Sequence, residues 1–268
     1  MYTIPELMAL VDANRTFFVI AAFITYGFGF WQYLTSMYMQ IKNKECPFYF
    51  WQHCWYFGHD ITFSLLFHQW FKVIGFWLFE VLCIGCMIFV LIEMVSLYYA
   101  IKYEKNWNWG KYYNGRKVPM KEAVIRGLAG YAVGAMLFAC MRLIIGDPCC
   151  FFLMTSTNCT LALMCRFNTK ERRYRMKGTR MLALTTLIGT IFNFMPKGVG
   201  FFASIIPGLH QPAWYVLGVF CLLACIDFVV MAHKLPTKEE FLASGGEILY
   251  TEDWQEDEIK AVENSKTA

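Results

Sequence analysis

The chain is 268 residues long, with 57% hydrophobic, 18% aromatic and 16% charged residues, a mean hydropathy of +0.40 and a formal charge of +4. An ordinary soluble domain carries about 25% charged residues, so the composition excludes a soluble fold and points to an integral membrane protein whose solvent is the lipid bilayer. A charge this small gives no sign of a nucleic-acid partner.

In chain order, residues 1–14 are mildly amphipathic and carry Glu6 and Asp12 without a Lys or Arg, so they do not read as a secretory signal. Seven apolar segments follow, at about Thr16–Ile41, Tyr49–Gln69, Val73–Ala100, Ala123–Ile145, Cys149–Phe167, Gly178–Pro196 and Ala213–His233. Each is about the length needed to cross a bilayer. Between them lie a short polar loop at Lys42–Pro47, a charged loop with Trp and Asn at Lys102–Lys121, a Gly146-Asp147-Pro148 turn and a basic stretch at Arg166–Arg180. The fold class expected is all-α, a polytopic bundle of seven transmembrane helices in residues 1–234, followed by a polar acidic tail, 235–268, that reads as a solvated segment.

Loop charge supports this count. With seven spans, Arg15, Lys72 and Lys197 fall on one side, whereas Lys42, Lys44, the 102–126 cations, the 166–180 cations, Lys234 and Lys238 fall on the other. The positive-inside rule then sets the N-terminus outside and the C-terminus in the cytoplasm. The membrane would be the endoplasmic reticulum in a eukaryote and the inner membrane in a bacterium.

Ionisable residues inside such segments are the functional candidates, because a charge at bilayer depth costs roughly 2.5–3.5 kcal/mol even on the lenient insertion scale. Asp60 lies about 16 Å into the second segment and Asp227 about 9 Å from the cytoplasmic end of the seventh. Two aspartates at overlapping depth suggest a shared cavity with at least one protonated general acid. His59, about 100° round the helix from Asp60, is a candidate to orient or reprotonate it. Glu80 and Arg142 fall toward the outer side and are expected to pair; Glu93 is expected to snorkel toward the inner interface. The aromatics Trp51, Trp55, Phe57, Phe63, Trp70, Phe76, Trp77 and Trp214 would give a cavity with many π faces, suited to a cation. Against this, Trp70, Trp107, Trp109 and Trp214 also read as interfacial belt residues.

Other motifs are weak. Cys54, Cys83, Cys86, Cys140, Cys159, Cys165, Cys221 and Cys225 lie inside apolar runs and read as small buried hydrophobes. Cys83-Ile-Gly-Cys86 has metal spacing but no second pair, and no metal site is expected.

Taken together, Phe57-Gly58-His59-Asp60, Trp77-Leu78-Phe79-Glu80, Arg175-Met176-Lys177-Gly178 with Leu187-Ile188-Gly189-Thr190, and Cys225-Ile226-Asp227-Phe228 resemble the small integral-membrane terpene cyclases of meroterpenoid and indole-diterpene biosynthesis. The resemblance covers roughly residues 15–234. It implies a cofactor-free enzyme, acting beside a prenyltransferase and an epoxidase, that protonates an epoxide or alkene of a hydrophobic prenylated substrate and guides carbocation cyclisation. Asp60 and Asp227 would be the catalytic acids, with His59, Glu80, Trp55, Phe63, Trp77 and Arg142 in support. The chain departs from the family in having His59-Asp60 where Trp-Glu is usual, and it has no Asp-rich diphosphate motif. The alternative class is a proton-coupled transporter or lipid-handling membrane protein that uses the buried acids.

Overall fold

The computed structural model describes residues 2–114 and 116–267; Met1, Gly115 and Ala268 lie outside it. Among the described residues the chain is all-α, with no strand: α1 Ile4–Ala13, α2 Arg15–Asn43, α3 Phe50–Leu65, α4 Trp77–Lys102, α5 Lys105–Trp109, α6 Met120–Ile145, α7 Phe151–Arg172, α8 Thr179–Asn193, α9 Phe201–Ile205, α10 Pro212–Lys234, α11 Lys238–Ala243 and α12 Asp253–Thr267. Local chemistry sets the boundaries. Thr3 and Glu6 form a reciprocal capping box at the start of α1, and the chain turns at Gly146-Asp147-Pro148 before α7. Gly178, at φ +101°, takes the left-handed turn that launches α8.

The helices α2, α3, α4, α6, α7, α8 and α10 follow the seven expected segments in order. Four of them, α2, α4, α6 and α10, are long and apolar enough to cross a membrane. The other three differ for separate reasons. α3 has 16 residues and α8 has 15, about 24 and 22 Å at 1.5 Å per residue. α7 is 22 residues long but carries Thr155, Ser156, Thr157 and Asn158 near its start and Lys170 and Arg172 in its last turn. Large apolar side chains such as Phe23, Leu91, Met136 and Phe220 stand exposed on the four long helices. Such a surface suits lipid, not water.

α3 packs on α4, α6 and α7, and closest on α6. A Cβ on Gly134 would fall 2.2 Å from the Cys54 carbonyl oxygen, and one on Gly58 2.5 Å from the Gly134 oxygen. The two backbones therefore touch through small residues, the arrangement that gives membrane helices their packing energy. Gly134→Ala is expected to lower stability by about 1–3 kcal/mol through overpacking, seen as a lower melting temperature in detergent.

One end of the bundle is an aromatic core in which Trp70, fully buried, stacks on Phe63 at 4.5 Å and donates its indole N–H to the Phe63 carbonyl. Trp214 is also buried, against Phe194. These two, like Trp109, are core residues and not interfacial belts. The nearby Phe76, Phe79 and Phe151 offered more burial than the interface did.

At the other end the acidic tail does not stay in water. It folds back over the bundle through α11 and α12. Glu252, buried, accepts from Lys105 Nζ at 2.8 Å and from the Asn106 backbone N–H. Gln255 donates to Glu45 at 3.0 Å, and Trp254 donates to the Tyr103 carbonyl at 2.9 Å. Beneath them Arg172 bridges Glu104 at 2.5 Å and Glu45 at 3.6 Å, with all three side chains no more than 2% exposed. Tyr174 and Lys238 also bond Glu45, at 2.9 and 2.7 Å. Among the described residues Glu252 is thus the tail acid that is buried and paired, while Asp253, Glu256 and Glu258 pair at the surface with Lys117 and Lys238.

Burial pushes the Glu252 carboxyl above its ordinary range, against the pull of Lys105 and the Asn106 N–H. A docked tail therefore holds that proton more tightly than a free one. Its contribution to docking is fully present below the ordinary carboxylate value and is lost as pH rises through the raised one. A spin label at position 257 is expected to become more mobile at pH 8 than at pH 5; equal mobility would contradict this linkage.

Candidate functional site

Residues 53, 56 and 60 are spaced i, i+3 and i+7 on α3, so His53, Tyr56 and Asp60 share one face of the helix that looks into the bundle. Asp60 is 1% exposed. Its Oδ2 accepts from the Tyr33 hydroxyl at 2.8 Å, and its Oδ1 lies 2.8 Å from His59 Nδ1. Among the described residues His59 Nε2 is buried without a hydrogen-bond partner. Despite the 100° step along the helix, His59 and Asp60 line the same cavity.

That cavity is walled by α2, α3, α4, α7 and α9. It contains about 780 Å³ of empty space with its mouth included, of which about 90 Å³ is open to the centre of a water molecule. Its π faces are Tyr26, Phe30, Tyr33, Phe48, Tyr56, Phe89 and Phe202, and its few polar groups besides Asp60 and His59 are Thr25, Gln32, Thr157 and Asn158. Tyr33 stacks on Phe89 with ring centres 4.0 Å apart, which fixes the hydroxyl that meets Asp60. The arrangement is an aromatic pocket with one carboxyl at its wall.

The expected aromatic lining is replaced throughout. Trp51 and Trp77 are exposed, Trp77 touching Phe23 and Phe76 on the outer surface. Trp55 packs on Phe138, and Phe57 on Tyr131. Phe63 lies in the aromatic core and meets the His59 ring at 6.0 Å without facing the cavity. Glu80 and Arg142 do not pair: Arg142 donates to the Pro148 carbonyl at 2.9 Å, and Glu80 makes no ion pair among the described residues.

The two aspartates are not brought together. Asp227 falls on the exposed stripe of α10 with Leu223, Ile226 and Val230, while Cys221, Cys225 and Phe228 face inward. Its side chain, 62% exposed, pairs with Arg166 of α7 at 3.2 Å. The shared cavity expected for Asp60 and Asp227 is not formed.

Glu93 does not snorkel. It is buried, 2.8 Å from His53 Nδ1, and its backbone and carboxylate oxygens accept from the Tyr131 hydroxyl at 2.9 and 3.1 Å. His53 is not singled out by the sequence, although its i, i+7 spacing places it on the same face of α3 as Asp60. Nor is the stripe Thr25, Gln32, Ser36 and Gln40, polar residues of an apolar helix that all turn inward.

His59, Asp60 and Cys86 have ligand atoms within 4.8 Å of one another. Nitrogen, oxygen and sulfur donors suit a borderline metal such as zinc better than magnesium or calcium. The 2.8 Å contact joins two of the three donors directly, His59 Nδ1 to Asp60 Oδ1. The trio is read as a hydrogen-bonded acid.

Fold and site together define an all-α protein of membrane character, with a buried carboxyl opening on an aromatic cavity. No family model, curated protein or solved structure matches the chain.

Proposed function

We propose that this protein is a seven-span membrane terpene cyclase of the kind its motifs resemble, with the N-terminus outside and the C-terminus in the cytoplasm, and that Asp60 starts the reaction by protonating an epoxide or alkene of a lipophilic prenylated substrate. The observation that carries the reading is a carboxyl at the wall of a cavity lined almost wholly by aromatic and apolar groups. A prenyl chain fits that lining, and a carbocation is stabilised over its π faces.

The chemistry is an isomerisation. The Asp60 carboxyl O–H passes its proton to the epoxide oxygen, a C–O bond breaks, and the alkene carbons attack in turn to close the rings. A C–H proton lost from the final cation restores the balance. As Asp60 gives up its proton, the Tyr33 hydroxyl and His59 ring hydrogen-bond the carboxylate that develops, and such bonds strengthen with the charge. His59 then supports return of a proton to the acid.

The test is to supply an epoxidised farnesyl meroterpenoid to membranes containing the protein and look for an isomer of unchanged mass. Tyr33→Phe, which removes one donor from the Asp60 carboxylate, is expected to slow turnover on the order of a hundredfold. Wild-type membranes that leave a panel of such substrates untouched would overturn the reading. A second reading, proton-coupled transport, draws support from the buried His53–Glu93 pair on the same face of α3 as Asp60; it predicts substrate-driven proton uptake in vesicles instead of a new product.

A further inference from the structure

Between the end of α2, the start of α8 and the docked tail lies a groove with about 660 Å³ of open space, lined by Lys42, Arg175, Lys177 and Arg180. Its charge is mostly unspent. Among the described residues, none of these four cations makes an ion pair. Arg175 donates to the Leu235 carbonyl, and Arg180 Nε to the Ala232 carbonyl at 3.5 Å, so both guanidinium groups keep N–H donors free. Two acids, Glu239 and Glu258, also line the groove, Glu258 being held by Lys238 at 2.8 Å; a third acid, Glu240, accepts from the Thr237 backbone N–H at the start of α11 and takes part of the charge of Arg175 and Arg180. The N-terminal end of the 15-residue α8 adds the positive end of its helix dipole to the same place.

We infer that this groove binds the phosphate group of an anionic phospholipid. Four cations lining one groove select a phosphate, and the neighbouring surface selects a lipid over a free phosphate compound. Tyr38 and Ile41 on α2 and Met181 and Leu184 on α8 are all about half exposed. Met181 lines the groove, Tyr38 lies against Gly178 at its edge, and Ile41 and Leu184 follow them at i+3 on the same faces of antiparallel-running ends, which puts apolar surface beside the cations. A headgroup seated among Lys42, Lys177 and Arg180 would lay its acyl chains on that surface. The inference does not depend on the cyclase reading, because it concerns the outside of the bundle and none of the cavity residues.

Dioctanoyl phosphatidylglycerol, dioctanoyl phosphatidylcholine and glycerol 1-phosphate would each be titrated into the full-length protein in a neutral detergent, with binding followed by native mass spectrometry. Phosphatidylglycerol is expected to bind clearly tighter than phosphatidylcholine. Each cation near an anionic lipid contributes about fivefold, so Lys42→Ala/Lys177→Ala/Arg180→Ala is expected to weaken phosphatidylglycerol on the order of a hundredfold. Lys42→Arg/Lys177→Arg/Arg180→Lys, which keeps the charges, is expected to retain it. Equal binding of the two lipids by wild type overturns the inference without any variant, as does full anionic preference in an alanine variant that melts like wild type. Glycerol 1-phosphate binding as tightly as the lipid would overturn the lipid assignment in favour of a free phosphate ligand.

Discussion

Asp60→Asn is expected to remove cyclisation of an epoxidised prenyl substrate while leaving the fold intact. The substitution keeps the size of the side chain, and its amide offers an oxygen to the Tyr33 hydroxyl and an N–H toward His59 Nδ1, the two partners Asp60 has now. What it lacks is a proton to transfer. General acid catalysis contributes typically about 10²–10⁴-fold, and since no other carboxyl lines the cavity among the described residues, the loss should lie at the upper end of that range. The checks are product formation by mass spectrometry and the melting temperature of the purified variant. The companion is Asp227→Asn. With its carboxylate on the outer face of α10 against Arg166, turnover is expected to persist. If Asp227→Asn were inactive and Asp60→Asn active, the proton donor would have been assigned to the wrong helix.

Arg172→Ala carries the largest expected effect on stability. The guanidinium is the central cation between Glu45 and Glu104, both almost wholly buried, and it also lies 4.2 Å over the Trp107 ring. Removing one member of a buried ion network leaves charge without compensation and costs about 3–5 kcal/mol. Burial already pushes the Glu104 carboxyl above its usual range, with Arg172 opposing the shift, so the variant should recover part of its stability as pH falls and Glu104 takes up a proton. Thermal unfolding of wild type and variant at two pH values measures both effects. A variant that melts within a degree of wild type would mean that water enters the network freely.

How far the sequence could be read depended on contrast. Asp60 stood out because a carboxyl in an apolar run has few bland explanations, and the four long helices α2, α4, α6 and α10 were legible because an apolar run of bilayer length has one dominant meaning. The direction in which an acid faces was not legible in α10. Both its inward side, with Cys221 and Phe228, and its outward side, with Phe220 and Ile226, are apolar, so no periodicity tells residue 227 which way to turn. In α2 the contrast did exist, since Thr25, Gln32, Ser36 and Gln40 mark the inward side of an otherwise lipid-facing helix, and Tyr33 beside that stripe reaches Asp60. The tail misled through composition: the contacts that dock it, Glu252 to Lys105 and Asn106 and Lys238 and Gln255 to Glu45, join residues 146 to 210 positions apart in the chain, where no local pattern marks them.

Those separations bear on how the molecule is made. The Asn106 N–H and Lys105 reach their places in α5 long before the ribosome has supplied Glu252, and Glu45 waits longer still for Gln255. The polar end of the bundle can therefore be closed only after translation has passed the last of its long helices, which makes a nascent chain stalled before residue 252 a bundle without its closure.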